Sequence, residues 1–169
     1  LDPKSDPEKY DLVVVPEHDE LLGSNVIRAT GSPTHFSEDS IEETGQAFAD
    51  LADERGKSAV VILGGNSKAH TFSREAAARL IQQMEGIATS GWRFRVTCSR
   101  RTPVAIVSEM RQFADRVGAS FWANEHDGPN LYLAWMLYSD AAIVTEDSAN
   151  MLYDVAWHGL PLHIAKLKG

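Results

Sequence analysis

Five short apolar runs dominate the second two-thirds of the chain: SAVVIL (58–63), WRFRVT (92–97), ASFWA (119–123), DAAIVT (140–145) and PLHIA (161–165). Most are continuously apolar rather than alternating, so they read as strands buried on both faces. Between them lie stretches with a 3.6-residue apolar period. Ala77, Leu80, Ile81, Met84 and Ala88 form one stripe, with Ser73 placed to cap it and Gly91 to end it. Val104, Val107, Met110, Ala114 and Val117 form a second, with Thr102 and Pro103 as its cap and first turn and Gly118 as its stop. A shorter helix fits residues 131–138, and another follows Ser148. Strand and helix alternating in this way imply a parallel sheet covered by helices on both faces, a doubly wound, Rossmann-like α/β fold.

Such a fold directs attention to the loops that leave the carboxyl ends of its strands, because those loops meet in one crevice. Here they are GGNSKAH (64–70), CSRRTP (98–103), NEHDGPN (124–130) and TEDSAN (145–150). In the first, Gly64 and Gly65 allow close backbone approach, and the exposed N–H groups around Asn66 and Ser67 suit an anion. The third glycine of a dinucleotide fingerprint is missing, and the spacing before Lys68 is wrong for a Walker loop. In the second, Ser99, Arg100, Arg101 and Thr102 place two guanidinium groups just before a helix start, where phosphate is well received. The third offers Asn130 and Tyr132 for a base or sugar, and His126 for proton transfer. The fourth offers Thr145, Asp147 and Ser148 at a helix start, with Asp154 one or two turns further on to accept from hydroxyls or to face solvent.

A Ser-His hydrolase reading of this last loop fails on distance. No G-x-S-x-G surrounds Ser148, and His158 lies ten residues along the same helix, about 15 Å away at 1.5 Å per residue. No catalytic residue is assigned.

The beginning of the chain is different. DLVVVPEHD (11–19) carries four apolar residues, Leu12 to Val15, stopped by Pro16, and suits a buried strand. A short strand at Val26 to Ala29 and a turn-rich exit follow. Residues 38–56 are weakly helical, with Ile41, Gly45, Phe48, Ala49 and Ala52 roughly on one face. Glu17, His18 and Asp19 could face the crevice or form a polar turn.

The totals narrow the function. With 24 acidic and 16 basic side chains the net charge is −8, which argues against sequence-blind nucleic-acid binding. One cysteine, Cys98, excludes an internal disulfide, and no Cys/His spacing suggests a metal site. No run approaches a membrane span of roughly 20 residues, and no signal peptide is visible. A reducing, bacterial cytoplasmic setting is the expectation. The chain opens on Leu1 inside a charged stretch and stops just after an apolar run, so it reads as a piece of a longer protein.

Taken together, VVVPEHD, GSNVIRATGS, VILGGNSK, TCSRRTP and VTEDSANM resemble, in content and order, the mitochondrial fission protein family with its plant and bacterial members. The resemblance runs from Asp11 to Pro161. Bacterial members are often labelled nucleoside-diphosphate-sugar epimerases, and the family is similar to the glycosyltransferase-B fold, two Rossmann-like domains facing across a cleft. The resemblance therefore implies that residues 1–35 are the end of an N-terminal domain and its connection. Residues 36–169 are then most of a C-terminal, nucleotide-sugar-binding domain. It implies a nucleoside-diphosphate-sugar or related anionic ligand near Gly64, Gly65, Ser99, Arg100 and Arg101, with no metal or further cofactor, and either sugar transfer, epimerisation or a non-catalytic scaffold role. The family pattern usually has Glu where this chain has Asp154, and Ala where it has Val155.

Overall fold

The computed structural model describes residues 6–167 except His18, Ser32, Pro33, His35 and Arg55. The chain divides into two compact units, Leu1–His35 and Phe36–Gly169.

In the first unit, β1 (Val13–Pro16) and β2 (Val26–Ala29) pair in parallel, from Val13 opposite Val26 to Pro16 opposite Ala29. The buried strand expected from LVVV is realised at one residue. Val15 is 1% exposed, whereas Leu12 and Val14 are 56% and 46% exposed. A two-stranded ribbon has no second layer of its own with which to cover both faces. The segment after β1 is a polar turn. The Glu17 carboxylate accepts from the Thr30 hydroxyl at 2.9 Å, and the Asp19 N–H donates to the Pro16 carbonyl. His18 lies outside the described residues.

The second unit is the Rossmann-like layer structure that the apolar runs predict. Its strands are β3 (Ser58–Leu63), β4 (Arg93–Cys98), β5 (Ser120–Trp122), β6 (Ala141–Thr145) and β7 (Leu162–Ala165). All pair in parallel, in the order β5-β4-β3-β6-β7. The helices are α1 (Glu38–Ala47), α2 (Arg74–Ala88), α3 (Val104–Val117), α4 (Tyr132–Leu137) and α5 (Ala149–Trp157).

Strand β3 shows why its sequence is apolar without interruption. Ala59, Val61 and Leu63 pack with Leu80 and Met84 of α2 and Met110 and Phe113 of α3. Val60 and Ile62 point the other way, into a cluster with Trp135 and Met136 of α4 and Val155 of α5. Successive side chains of a strand alternate faces, and here both faces are core.

Helix α2 is built as its stripe predicts: the Ser73 hydroxyl accepts the Ala76 N–H at 3.3 Å, and Ala77, Leu80 and Met84 are buried. Helix α3 departs from expectation at its start. Pro103 occupies the N-cap, the helix begins at Val104, and Val104 is 85% exposed. The buried positions are Ile106, Met110, Phe113 and Ala114. Thr102 is not a cap, because its hydroxyl turns back to the end of β3. Gly118 closes α3 at φ 70°, a left-handed conformation that suits glycine.

The chain leaves β3 toward β4 and β5 on one side, then returns to β6 on the other. The sheet therefore changes winding direction between β3 and β6, the position where ligand crevices open in such folds.

Candidate functional site at the strand ends

The first element of this site is a closed junction. At the winding reversal the loop after β3 and the loop after β6 are joined by hydrogen bonds. The Gly64 N–H donates to Thr145 Oγ1 at 2.7 Å, and that hydroxyl donates to Asp147 Oδ1 at 2.7 Å. The Gly65 N–H donates to Asp147 Oδ2 at 2.9 Å, and Arg101 reaches the same oxygen at 3.2 Å. The Asp147 side chain is 0% exposed. The loop after β4 is tied in as well: the Thr102 hydroxyl donates to the Leu63 carbonyl at 3.1 Å and contacts the Gly64 carbonyl, while accepting the Ser99 N–H at 3.0 Å.

Both glycines are demanded by this closeness. A Cβ on Gly64 would strike the Asp147 carboxylate, and one on Gly65 would strike the Arg101 carbonyl. The backbone approach expected toward a ligand is here an approach of loop to loop. Asn66 and Ser67 also work locally, Asn66 accepting the Phe72 N–H at 2.9 Å and Ser67 the His70 N–H at 3.0 Å. Ser148 sits at the N-cap of α5, and its hydroxyl makes no capping bond.

Beside the junction lies a cleft of about 680 Å³, lined by the ends of β3, β4 and β5 and by α4 and α5. Ile62, Trp122, Tyr132 and Met151 give it apolar wall, and Arg100, Arg101, Asn124, Glu125 and Asn130 give it polar groups. Arg100 is exposed and has no partner among the described residues. Asn130 uses its Oδ1 to accept the Tyr132 N–H at 3.0 Å, which leaves its amide N–H₂ as the group free to donate.

The cleft wall is braced from behind. The Tyr132 hydroxyl donates to Asp154 Oδ2 at 3.1 Å. Burial, reinforced by the Asp154 charge, pushes the Tyr132 phenol above its ordinary range, so it stays protonated and donates. Asp154 is 9% exposed and faces the protein interior, not solvent. On the far side, Arg111 grips Asp127 at 2.7 and 2.9 Å while lying over the Phe121 ring at 4.4 Å. That hydrogen bond holds the Asp127 carboxyl down at about 2, and Asp127 accepts the Ala123 N–H at 2.8 Å, which shapes the loop carrying Asn124 and Glu125. Burial pushes the Cys98 thiol up to about 12, so a neutral thiol, not a nucleophilic thiolate, stands at the cleft.

The residues singled out from sequence thus separate into two groups. Gly64, Gly65, Asn66, Ser67, Ser99, Thr102, Thr145 and Asp147 hold the loops together. Arg100 and Asn130 face the cleft, with Ser99 and Arg101 contributing to both. Asp154 acts through Tyr132. His126 is exposed in a short turn and is not among the lining residues. His158 caps the far end of α5, a full helix away from Ser148. Sequence reading missed Trp122, Met151 and the Arg111–Asp127 brace. Trp122 had a usable signal, as a large aromatic near the carboxyl end of a strand. The brace had none, since its partners are 16 residues apart on different elements.

Among the described residues no group of His, Cys, Asp and Glu side chains is arranged to hold a metal ion, and no helix is long and apolar enough to cross a membrane.

Comparison with known proteins places the chain in a family. The profile of the Mitochondrial fission ELM1 family matches residues 1–169. The mitochondrial fission protein ELM1 of Arabidopsis thaliana is 20% identical over 187 residues, covering 96% of this chain and 43% of that protein. The chain therefore spans less than half the length of this relative. No solved structure matches it. With its whole length matched by the profile, the chain belongs to the mitochondrial fission ELM1 family.

Proposed function

We propose that this chain is a module of a regulatory or scaffold protein of the fission-family type, and that it does not transfer or epimerise sugars. The observation that carries this reading is the family match along residues 1–169. The plant relative's name describes a protein of mitochondrial fission and no sugar chemistry. The closed junction agrees with it: the backbone donors at the winding reversal are spent on Thr145 and Asp147, where a sugar-transferring enzyme would aim them at a leaving group. The setting we assign is a reducing cytoplasm, in keeping with a single, free and buried cysteine.

The test is turnover. Full-length protein incubated with UDP-, GDP- and ADP-sugars should release no nucleoside diphosphate and produce no epimer above a protein-free control. Release that disappears in Arg100→Ala would sink the scaffold reading and establish an enzyme.

A second reading, nucleotide-sugar binding with or without chemistry, is favoured by one specific feature, the unpartnered Arg100 at the edge of an aromatic-walled cleft. Arginine is suited to phosphate, and Trp122 and Tyr132 offer surface to a base. A scaffold that senses a nucleotide would reconcile the two. Thermal-shift screening with UDP, GDP, ADP and their sugars tests it. A ligand that raises the melting temperature should do so less after Arg100→Ala, and the absence of any shift would leave the scaffold reading alone.

A further inference from the structure

The junction and the cleft share Arg101, and that sharing limits what charge the cleft can take. We propose that the cleft selects a ligand carrying one compact anionic group on an aromatic body, of the nucleoside monophosphate class, over a nucleoside diphosphate. This rests on the nucleotide-binding reading above and changes the ligand class that the family resemblance implies.

A diphosphate needs a second set of positive or N–H groups beside the first. The natural place for that set is the winding reversal, where the Gly64 and Gly65 amides lie. Both are occupied: Gly64 N–H by Thr145 at 2.7 Å and Gly65 N–H by Asp147 at 2.9 Å. Asp147 is itself the anion of that place, 0% exposed and held by an amide, a hydroxyl and a guanidinium. It fills the position with a charge that belongs to the protein.

The charge balance points the same way. Arg100 and Arg101 bring two positive charges to the cleft. Glu125 in the same lining and Asp147 paired with Arg101 bring two negative ones. Arg101 is turned partly toward Asp147, so Arg100 is the cation with its full set of donors available. A monophosphate of about −2 is met by that fork in bidentate geometry. The additional charge of a diphosphate finds no second unpaired guanidinium there, only the neutral Asn130 amide, and it meets the Glu125 and Asp147 carboxylates.

The experiment is a paired titration of the chain with UMP and UDP, AMP and ADP, and GMP and GDP, without divalent metal, followed by calorimetry or thermal shift. For any base that binds, the monophosphate should bind more tightly than the diphosphate. Asp147→Asn, which keeps the shape and removes the charge, should raise diphosphate affinity at least fivefold while changing monophosphate affinity less than twofold. Glu125→Gln, at an exposed position, should shift the ratio in the same direction and remains usable if Asp147→Asn does not fold. A diphosphate bound by the natural chain as tightly as the monophosphate, or more tightly, overturns the selectivity and leaves nucleotide binding intact. Binding of neither class overturns the selectivity together with the nucleotide-binding reading.

Discussion

Two neighbouring regions at the carboxyl edge of the sheet use the same kinds of residue for opposite ends. Between β3 and β6, glycine, threonine, aspartate and arginine close on one another until an aspartate side chain has no exposed surface. One step across the sheet, arginine, asparagine, tryptophan and tyrosine leave about 680 Å³ open. In the junction every donor named above has a protein acceptor. In the cleft Arg100 and the Asn130 amide do not. The difference teaches that a donor-rich loop at a strand end is a binding site only to the extent that its neighbours fail to satisfy it.

The sharpest way to break this contrast is to add one methyl group to the junction. In Gly65→Ala the new Cβ meets backbone atoms of Arg101 and Thr102, which no rotamer change can move. The three loops would have to separate. The expected cost is about 3 kcal/mol, at the upper end of overpacking, with the urea midpoint as the measurement. A loss below about 0.5 kcal/mol would mean that the junction is loose enough to admit a ligand, and the comparison would fail.

That collision also explains what was legible in the sequence. The layer structure could be read because β3 needs apolar residues on both faces, and Val60 and Val61 declare both at once. The crevice could be read because strand ends converge in such sheets whatever the side chains are. The allocation of partners could not. Gly65 tolerates a phosphate or the Arg101 carbonyl equally well, and nothing in GGNSK says which arrives. Thr102 before Pro103 carries the chemistry of a cap, yet its hydroxyl is taken by the carbonyls ending β3, a contact 39 residues away. Val104 reads as core by period but lies in the first turn of α3, where it is left in solvent.

A smaller perturbation separates the hydroxyl of the junction from its shape. Thr102→Val keeps the volume and removes the donor to the Leu63 carbonyl and the acceptor for the Ser99 N–H. Buried polar atoms that lose a partner cost about 1–3 kcal/mol. With these backbone groups retaining other bonds, among them Ser99 N–H to Leu63 O at 2.8 Å, the expected loss is about 1.5 kcal/mol, or a melting temperature lower by about 3–6 °C. The same substitution should leave Arg100-dependent ligand shifts in place, because the turn carrying Arg100 keeps its backbone bonds, Thr102 N–H to Ser99 O at 3.0 Å and Ser99 N–H to Leu63 O at 2.8 Å. Loss of both together would mean that junction and cleft act as one unit.

The smallest effect belongs to the flank of the cleft. The Phe36 ring lies 6.0 Å from Tyr132 and 5.8 Å from His158, whose other neighbour is the Trp157 ring at 5.1 Å. His158 Nε2 is buried without a hydrogen-bond partner among the described residues. Burial lowers the His158 pKa below its ordinary value of 6.5, against the opposing pull of the Asp154 charge. The unfolded chain therefore takes up this proton at a higher pH than the folded chain does. The contribution of neutral His158 is complete above about pH 6.5. It declines as pH falls through the folded value, because protonation puts a charge between two aromatic rings in a site that offers Nε2 no acceptor. Unfolding free energies measured at pH 7.5 and 5.5 should show a larger drop for the natural chain than for His158→Gln, by less than the Thr102→Val effect. A drop of equal size in both would mean that the His158 proton makes no difference to stability on that flank. A smaller drop in the natural chain would reverse the sign and assign the Asp154 charge, rather than burial, as the dominant influence on that flank of the cleft.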